Sequence, residues 1–278
     1  MNTYNKLYSQ YKKLYLSYLG QITLILNDYH KKNYSKDYWE PIIGLYLRKF
    51  ILNHLFLLKI NKKNLYNKIN YNKINYKKTT FYKNYSEFAE DNDRYFYKFD
   101  NINKHKHFKY IKTRSFSEKI NTIYSLLPNI LIKFGITKIF FQESYFRKSL
   151  KFLFSARSLF YFYSLPLFNL ENYKVDKKKI FQNRLNLIRI FKIKNKKDLL
   201  LQNIIFLIPI NYVEYYDIIL KEVKKINLSK ALYVDGNEVK FDFIKFYIAE
   251  LILKKKKIFS GQHSLRSGIE DFDVYFDY

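Results

Sequence analysis

Residues 230–263 constrain the fold most. The run "KALYVDG" (230–236) is short and apolar and ends on glycine. It is followed by "NEVKFDFIKFYIAELILKKKK", whose apolar residues recur at helical spacing and predict an amphipathic helix. "KIFSGQH" (257–263) is the next short apolar run, and it too meets a glycine. Strand, helix and strand within about 35 residues form a βαβ unit, which closes right-handed with its strands parallel. Ligands of open α/β sheets lie at the carboxyl ends of the strands. The segment "GQHSLRSG" starts at such an end and holds two of the six glycines in the chain. Glycine there lets the backbone turn sharply and approach a ligand.

Upstream the pattern is helix-rich. Residues 4–29 carry Leu7, Tyr11, Leu14, Tyr18, Ile22 and Ile25 on one helical face. A second helix is expected from Asp37 as cap, with Pro41 in its first turn and apolar side chains around most of its circumference. Residues 65–78 nearly repeat Asn-Lys-Ile-Asn-Tyr and read as a loop or insertion, and 81–115 show no clear period. From Ser117 a helix is expected to end at Gly135. "TKIFFQES" (137–144) reads as a buried strand running into a polar loop. Residues 145–166 read as helical or partly so, and 197–226 as two helices broken near Pro209. The expected fold class is α/β: N-terminal helices (1–60), a low-complexity insertion (61–115), and a Rossmann-like βαβ region (116–278), incomplete at the C-terminus.

Charge narrows the partners. The net charge is +27, from 51 basic against 24 acidic residues, which raises nucleic acid or an anionic membrane. Only eight of the 51 are arginine, and the lysines are scattered along the chain amid Asn, Ile, Tyr and Phe. A/T-rich codons produce that mixture, so the charge is read as bias in preference to a nucleic-acid footprint, which would use arginine forks and clustered cations. With no cysteine there is no disulfide, zinc thiolate or cysteine nucleophile. No signal peptide and no apolar run near 18 residues is present, so a soluble cytoplasmic chain, with peripheral contact at the inner membrane face, is the expectation.

Several residues are candidates for chemistry. His263 on the glycine loop could donate to a sugar or phosphate oxygen or act as acid or base, or simply bond the backbone. Gly261 begins that loop, Gln262 could hold a sugar hydroxyl, and Arg266 could hold a phosphate or carboxylate by its fork. Gln142 and Glu143 end the strand "KIFF", where a carboxylate suits acceptor binding or base catalysis, though a Ser144 helix cap accounts for the segment as well. Asp235 ends a strand, and Asp-Gly-Asn is also an ordinary turn. Tyr38 and Trp39 could stack on a sugar, but packing anchors are the preferred reading. His105 and His107 make a poor metal site, lacking a carboxylate or thiol pattern. Lys254–Lys257 could meet a phosphate or an anionic membrane, or be a solvated helix end. There is no GxxxxGK[ST], HExxH, GxSxG or full GxGxxG.

"DYWEPIIGLYL", "IPINYVEYYDIIL" and "LYVDGNEVKFDFIKFYIAELILKKKKIFSGQH" occur in that order. Together they resemble a bacterial family of transferases found with surface-polysaccharide and O-antigen genes. That family carries Tyr-Trp-Arg before a long helix and a late GQHGG-x-YG loop after a βαβ unit. Tyr38-Trp39 and Gly261-Gln262-His263 match, whereas Glu40, Ser264-Leu265 and Ser267 depart. The resemblance implies the N-terminal half of a two-domain, glycosyltransferase-B-like enzyme. It implies no bound cofactor, a nucleotide-activated sugar as donor, a glycan acceptor, and a C-terminal half acting in trans. In that reading Gln262 and His263 lie near the donor, Arg266 offsets its charge, and Glu143 activates the acceptor. The alternatives are a non-catalytic remnant or structural partner, and a basic nucleic-acid-binding protein.

Overall fold

The computed structural model describes residues 2–61, 79–91, 127–142, 148–165, 176–194, 198–235 and 241–261. Two long helices come first, α1 (Asn2–His30) and α2 (Lys36–Asn61), packed side by side. Asn27 locks the turn between them: its Nδ2 donates to the Tyr34 carbonyl (2.8 Å) while its Oδ1 accepts from Trp39 Nε1 (2.8 Å). The second helix starts two residues earlier than expected. Ser35, not Asp37, caps it, its Oγ accepting from the Tyr38 amide (3.3 Å). Pro41 consequently falls in the second turn, where the amide bond it cannot donate is the one to the Asp37 carbonyl. Pro41–Arg48 are buried on every side, as the apolar circumference predicts. The helices approach closely at Gly44, where a Cβ would lie 2.9 Å from Tyr15 Oη.

Strands β1 (Ile139–Gln142), β2 (Phe162–Ser164), β3 (Ala231–Asp235) and β4 (Lys257–Gly261) form one parallel sheet in the order β2-β1-β3-β4. Helix α3 (Lys148–Arg157) joins β1 to β2. Four helices, α4 (Lys177–Lys194), α5 (Leu199–Leu207), α6 (Ile210–Val213) and α7 (Tyr216–Val223), lie between β2 and β3, and α8 (Asp242–Leu253) joins β3 to β4. Phe140 packs on Tyr247 of α8 (6.0 Å between rings), and its neighbour Phe141 on Phe154 of α3 (5.2 Å). Successive strand residues point to opposite faces, so α3 and α8 cover opposite faces of the sheet. The chain is thus mixed α/β and helix-rich, with a small parallel sheet.

The helix expected to end at Gly135 does so: residues 127–133 are helical, Gly135 has φ +70°, and its amide returns to the Ile132 carbonyl. Pro209 breaks 197–226 as expected, with a second break at Glu214–Tyr215. Within 145–166 the described residues are partly helical, as expected: Leu159 and Phe160 are left-handed (φ 50° and 59°), which stops α3 and lets Phe162–Ser164 pair with β1. Two expectations change. The helix expected over 237–257 begins at Asp242 and ends at Leu253. It is not amphipathic, because Asp242–Leu251 are all buried between α2 and the sheet. Among the described residues, no helix is long and apolar enough to cross a membrane.

An aromatic nest ties α1, α2, α7 and α8 together. His30 lies against Trp39 (5.7 Å) and Tyr216 (4.2 Å), and Tyr38 Oη meets Tyr216 Oη (2.6 Å) and Glu250 Oε1 (3.1 Å). Burial pushes the His30 imidazole down from 6.5 to about 4, against its bond to the Tyr212 carbonyl and the charge of Asp217. The unfolded chain therefore takes up this proton near pH 6.5 and the fold only near 4. The resulting stability is complete above pH 6.5 and is lost as pH falls to about 4, at most about 3 kcal/mol. Denaturant unfolding of the wild type and His30→Phe across that window measures it. The wild type should lose the larger share, and parallel curves would refute the assignment.

Candidate functional site

The carboxyl edge of the sheet is where the predicted residues gather. From β1 the chain moves outward to β2, then returns to place β3 on the other side of β1. Strand order therefore reverses between β1 and β3, and connections leave the edge in opposite directions there, opening the crevice in which α/β sheets hold ligands. Gln142 is the last residue of β1 and pairs in register with Val234; Asp235, the last of β3, pairs with Gly261 of β4. Three of the seven candidate residues, far apart in sequence, thus occupy adjacent strand ends. Gln142 and Asp235 flank the reversal itself, and Gly261 stands one strand further out. Glu143 follows Gln142 directly, and Gln262, His263 and Arg266 follow Gly261; these four lie outside the described residues. So do Ser144, Gly236, Asn237, His105 and His107.

A buried polar cluster anchors α8 just after the β3–α8 connection. Asp242 accepts from Asn211 Nδ2 (2.7 Å) and Tyr212 Oη (2.8 Å) and pairs with Lys245 Nζ (3.3 Å). Lys245 is completely buried, donates to Tyr212 Oη, and sits 4.8 Å over the Tyr85 ring. Burial lowers its ionisation, with the Asp242 carboxylate opposing. The sequence reading missed this pair. The signal is present in "FDFIKFYIA" (241–249), where Asp and Lys three apart interrupt a run that is otherwise apolar on every face; there they can be buried only as partners. The cluster fixes the first turn of α8 and, through it, the far anchor of the connection leaving Asp235.

Tyr38 and Trp39 are 1% and 0% exposed, so they are packing anchors and cannot stack on a ligand. Glu40, standing where the family resemblance has arginine, is a helix–helix clamp: it accepts from Tyr15 Oη (2.6 Å) and pairs with Arg48 Nη2 (3.5 Å). Among the described residues no group of three His, Asp or Glu stands close enough to hold a metal ion.

Comparison with curated proteins and with solved structures gives no match. A family model, described as the LIC12162 family transferase, matches residues 2–265. That span takes in both long helices, the whole sheet, the buried Asp242–Lys245 cluster and the glycine loop through Leu265. The match covers most of the chain, and the chain belongs to the LIC12162 family of transferases.

Proposed function

We propose that the group transferred is a sugar, taken from a nucleotide-activated donor and given to a glycan acceptor in surface-polysaccharide or O-antigen synthesis. The reading takes the chain as the Rossmann-like, N-terminal half of a two-domain glycosyltransferase, with a C-terminal half completing the donor site, in trans where it is a separate chain. The observation that carries it is the reversal of strand order between β1 and β3, with Gln142 and Asp235 at the two strand ends beside it. In the reaction an acceptor hydroxyl attacks the anomeric carbon, the bond from that carbon to the phosphate oxygen breaks, and the nucleotide leaves with the electron pair. Glu143 takes the hydroxyl proton. Gln142, Asp235 and Gln262 hold sugar hydroxyls, Gly261 lets the backbone come close, His263 donates to the departing phosphate oxygen, and Arg266 offsets its charge.

The test is nucleotide release from a panel of UDP-, GDP-, dTDP- and CMP-activated sugars, by the chain with cell extract supplying both the acceptor and the C-terminal half, against extract alone. Release with one donor class is expected. Glu143→Gln or His263→Ala should lower it about a hundredfold or more, and Gln142→Ala should act mainly on KM. Wild-type release by both catalytic variants would refute the assignment.

A further inference from the structure

The amino edge of the sheet, opposite the candidate site, has a different chemistry. Four connections meet there: 133–138 before β1, 157–161 before β2, 224–230 before β3 and 254–257 before β4. Lateral backbone bonds hold them in a row. The Lys138 amide donates to the Tyr161 carbonyl (3.0 Å), Lys230 to Lys138 (2.9 Å) and Lys257 to Lys230 (3.3 Å). These connections hold ten basic residues and no acidic one. Glu222, at the end of α7, pairs with Lys225 (2.6 Å). Lysines at the ends of α7 and α8 suit the helix dipoles. Lys138, Lys230 and Lys257 stand at strand starts, where no helix dipole explains them.

The same edge projects apolar side chains into solvent. Leu159 is 81% exposed and Phe134 74%, the two highest values among the large apolar residues described. Ile136, Tyr161 and Leu253 are exposed beside them. The backbone is bent to this end: four of the five described residues with positive φ, Gly135, Leu159, Phe160 and Lys255, lie in these connections. A left-handed leucine and phenylalanine are disfavoured and persist only where the surrounding structure holds them.

We propose that this edge docks on the surface of a bilayer of anionic phospholipid. The lysines meet the headgroups while Leu159 and Phe134 enter the boundary between headgroups and acyl chains. Lysine charge interleaved with protruding aliphatic side chains is the recognition chemistry of such a surface. Nucleic acid is the poorer fit. Phe134 and Tyr161 could stack on bases, but the most exposed side chain, Leu159, and its neighbours Ile136 and Leu253 offer bases neither a stacking face nor a hydrogen bond, and Arg157 is the edge's one arginine. The surface is separate from the candidate transfer site, so the two are testable independently.

The experiment is co-sedimentation of the full chain with vesicles of equal parts phosphatidylcholine and phosphatidylglycerol, and with vesicles of phosphatidylcholine alone. Binding is expected to the first only, and to weaken as salt rises. Replacing Lys254, Lys255 and Lys256 together by glutamine should weaken it about a hundredfold. Leu159→Asn, which keeps a residue that tolerates left-handed backbone, combined with Phe134→Ser, should weaken it about tenfold at unchanged charge. Replacing Lys177, Lys178 and Lys179 by glutamine removes equal charge from the start of α4 and should leave binding intact. The proposal is overturned by equal binding to both vesicles or none, by equal losses from the two lysine triples, by indifference to the apolar pair, or by binding to duplex DNA and not to vesicles in the same salt.

Discussion

Glu214→Ala should lower the free energy of unfolding by about 3–5 kcal/mol, among the largest effects any single side chain here can give. Arg184 Nη2 lies 2.7 Å from Glu214 Oε2, and the side chains are 0% and 7% exposed. Arg184 Nε and Nη1 have no hydrogen-bond partner, so the carboxylate is the main compensation for a fully buried cation. Burial raises the pKa of Glu214 and lowers that of Arg184, making each harder to ionise, against the attraction of the other. Desolvation therefore outweighs the mutual attraction, which has a second consequence. Removing the carboxylate alone strands the guanidinium, whereas Arg184→Met with Glu214→Leu removes both costs and should recover most of the loss. The pair pins α4 to the break between α6 and α7, so its failure would loosen the connection between β2 and β3. Urea unfolding followed by circular dichroism separates the cases. A single variant within about 1 kcal/mol of the wild type would refute the argument.

Asp242→Ala is expected to cost a similar amount, about 3–5 kcal/mol at neutral pH, for a related reason. It leaves the Lys245 ammonium wholly buried, with Tyr212 Oη as its remaining acceptor, and leaves Asn211 and Tyr212 without theirs. The lysine supplies a signature a packing defect lacks. Its ionisation is already lowered by burial, and Asp242 is the attraction that opposes the fall. Without Asp242 the folded state resists the proton still more, while the unfolded lysine titrates near 10.5. The unfolded state then binds more protons across that window, so stability rises with pH. The deficit of Asp242→Ala should shrink as pH climbs toward 10.5. Adding Lys245→Met should restore much of the loss and flatten the pH dependence. A deficit that ignores pH would mean that the pair acts through shape alone.

Much of the secondary structure was legible, because it depends on local spacing. The apolar runs of β1, β3 and β4, the stop at Gly135, the break at Pro209 and the two long helices each carry their own signal. What failed depended on partners. Residues 162–164 form a strand because β1 lies beside them, and three residues of "FYS" announce nothing alone. The α4 helix and the burial of Arg184 leave no local signal, because an arginine in a lysine-rich segment looks solvated. The charged pair in α8 looked like a polar helix face, since spacing cannot distinguish a solvated ion from a buried, paired one. Gln142 and Asp235 are each legible as a strand end and Gly261 as the start of the glycine loop; their adjacency comes from the pairing of strands distant in sequence.

By itself the sequence determined the α/β class, the parallel βαβ unit and the transferase family, because periodicity, turn chemistry and motif order are properties of the chain as written. Only the tertiary structure decided which strand ends meet, which charges are buried, and how the basic residues are distributed. Along the chain the lysines look evenly spread. Crossovers in a parallel sheet return to the same edge each time, so connections remote in sequence lie side by side. That return places ten basic residues along one edge, across the sheet from the candidate site.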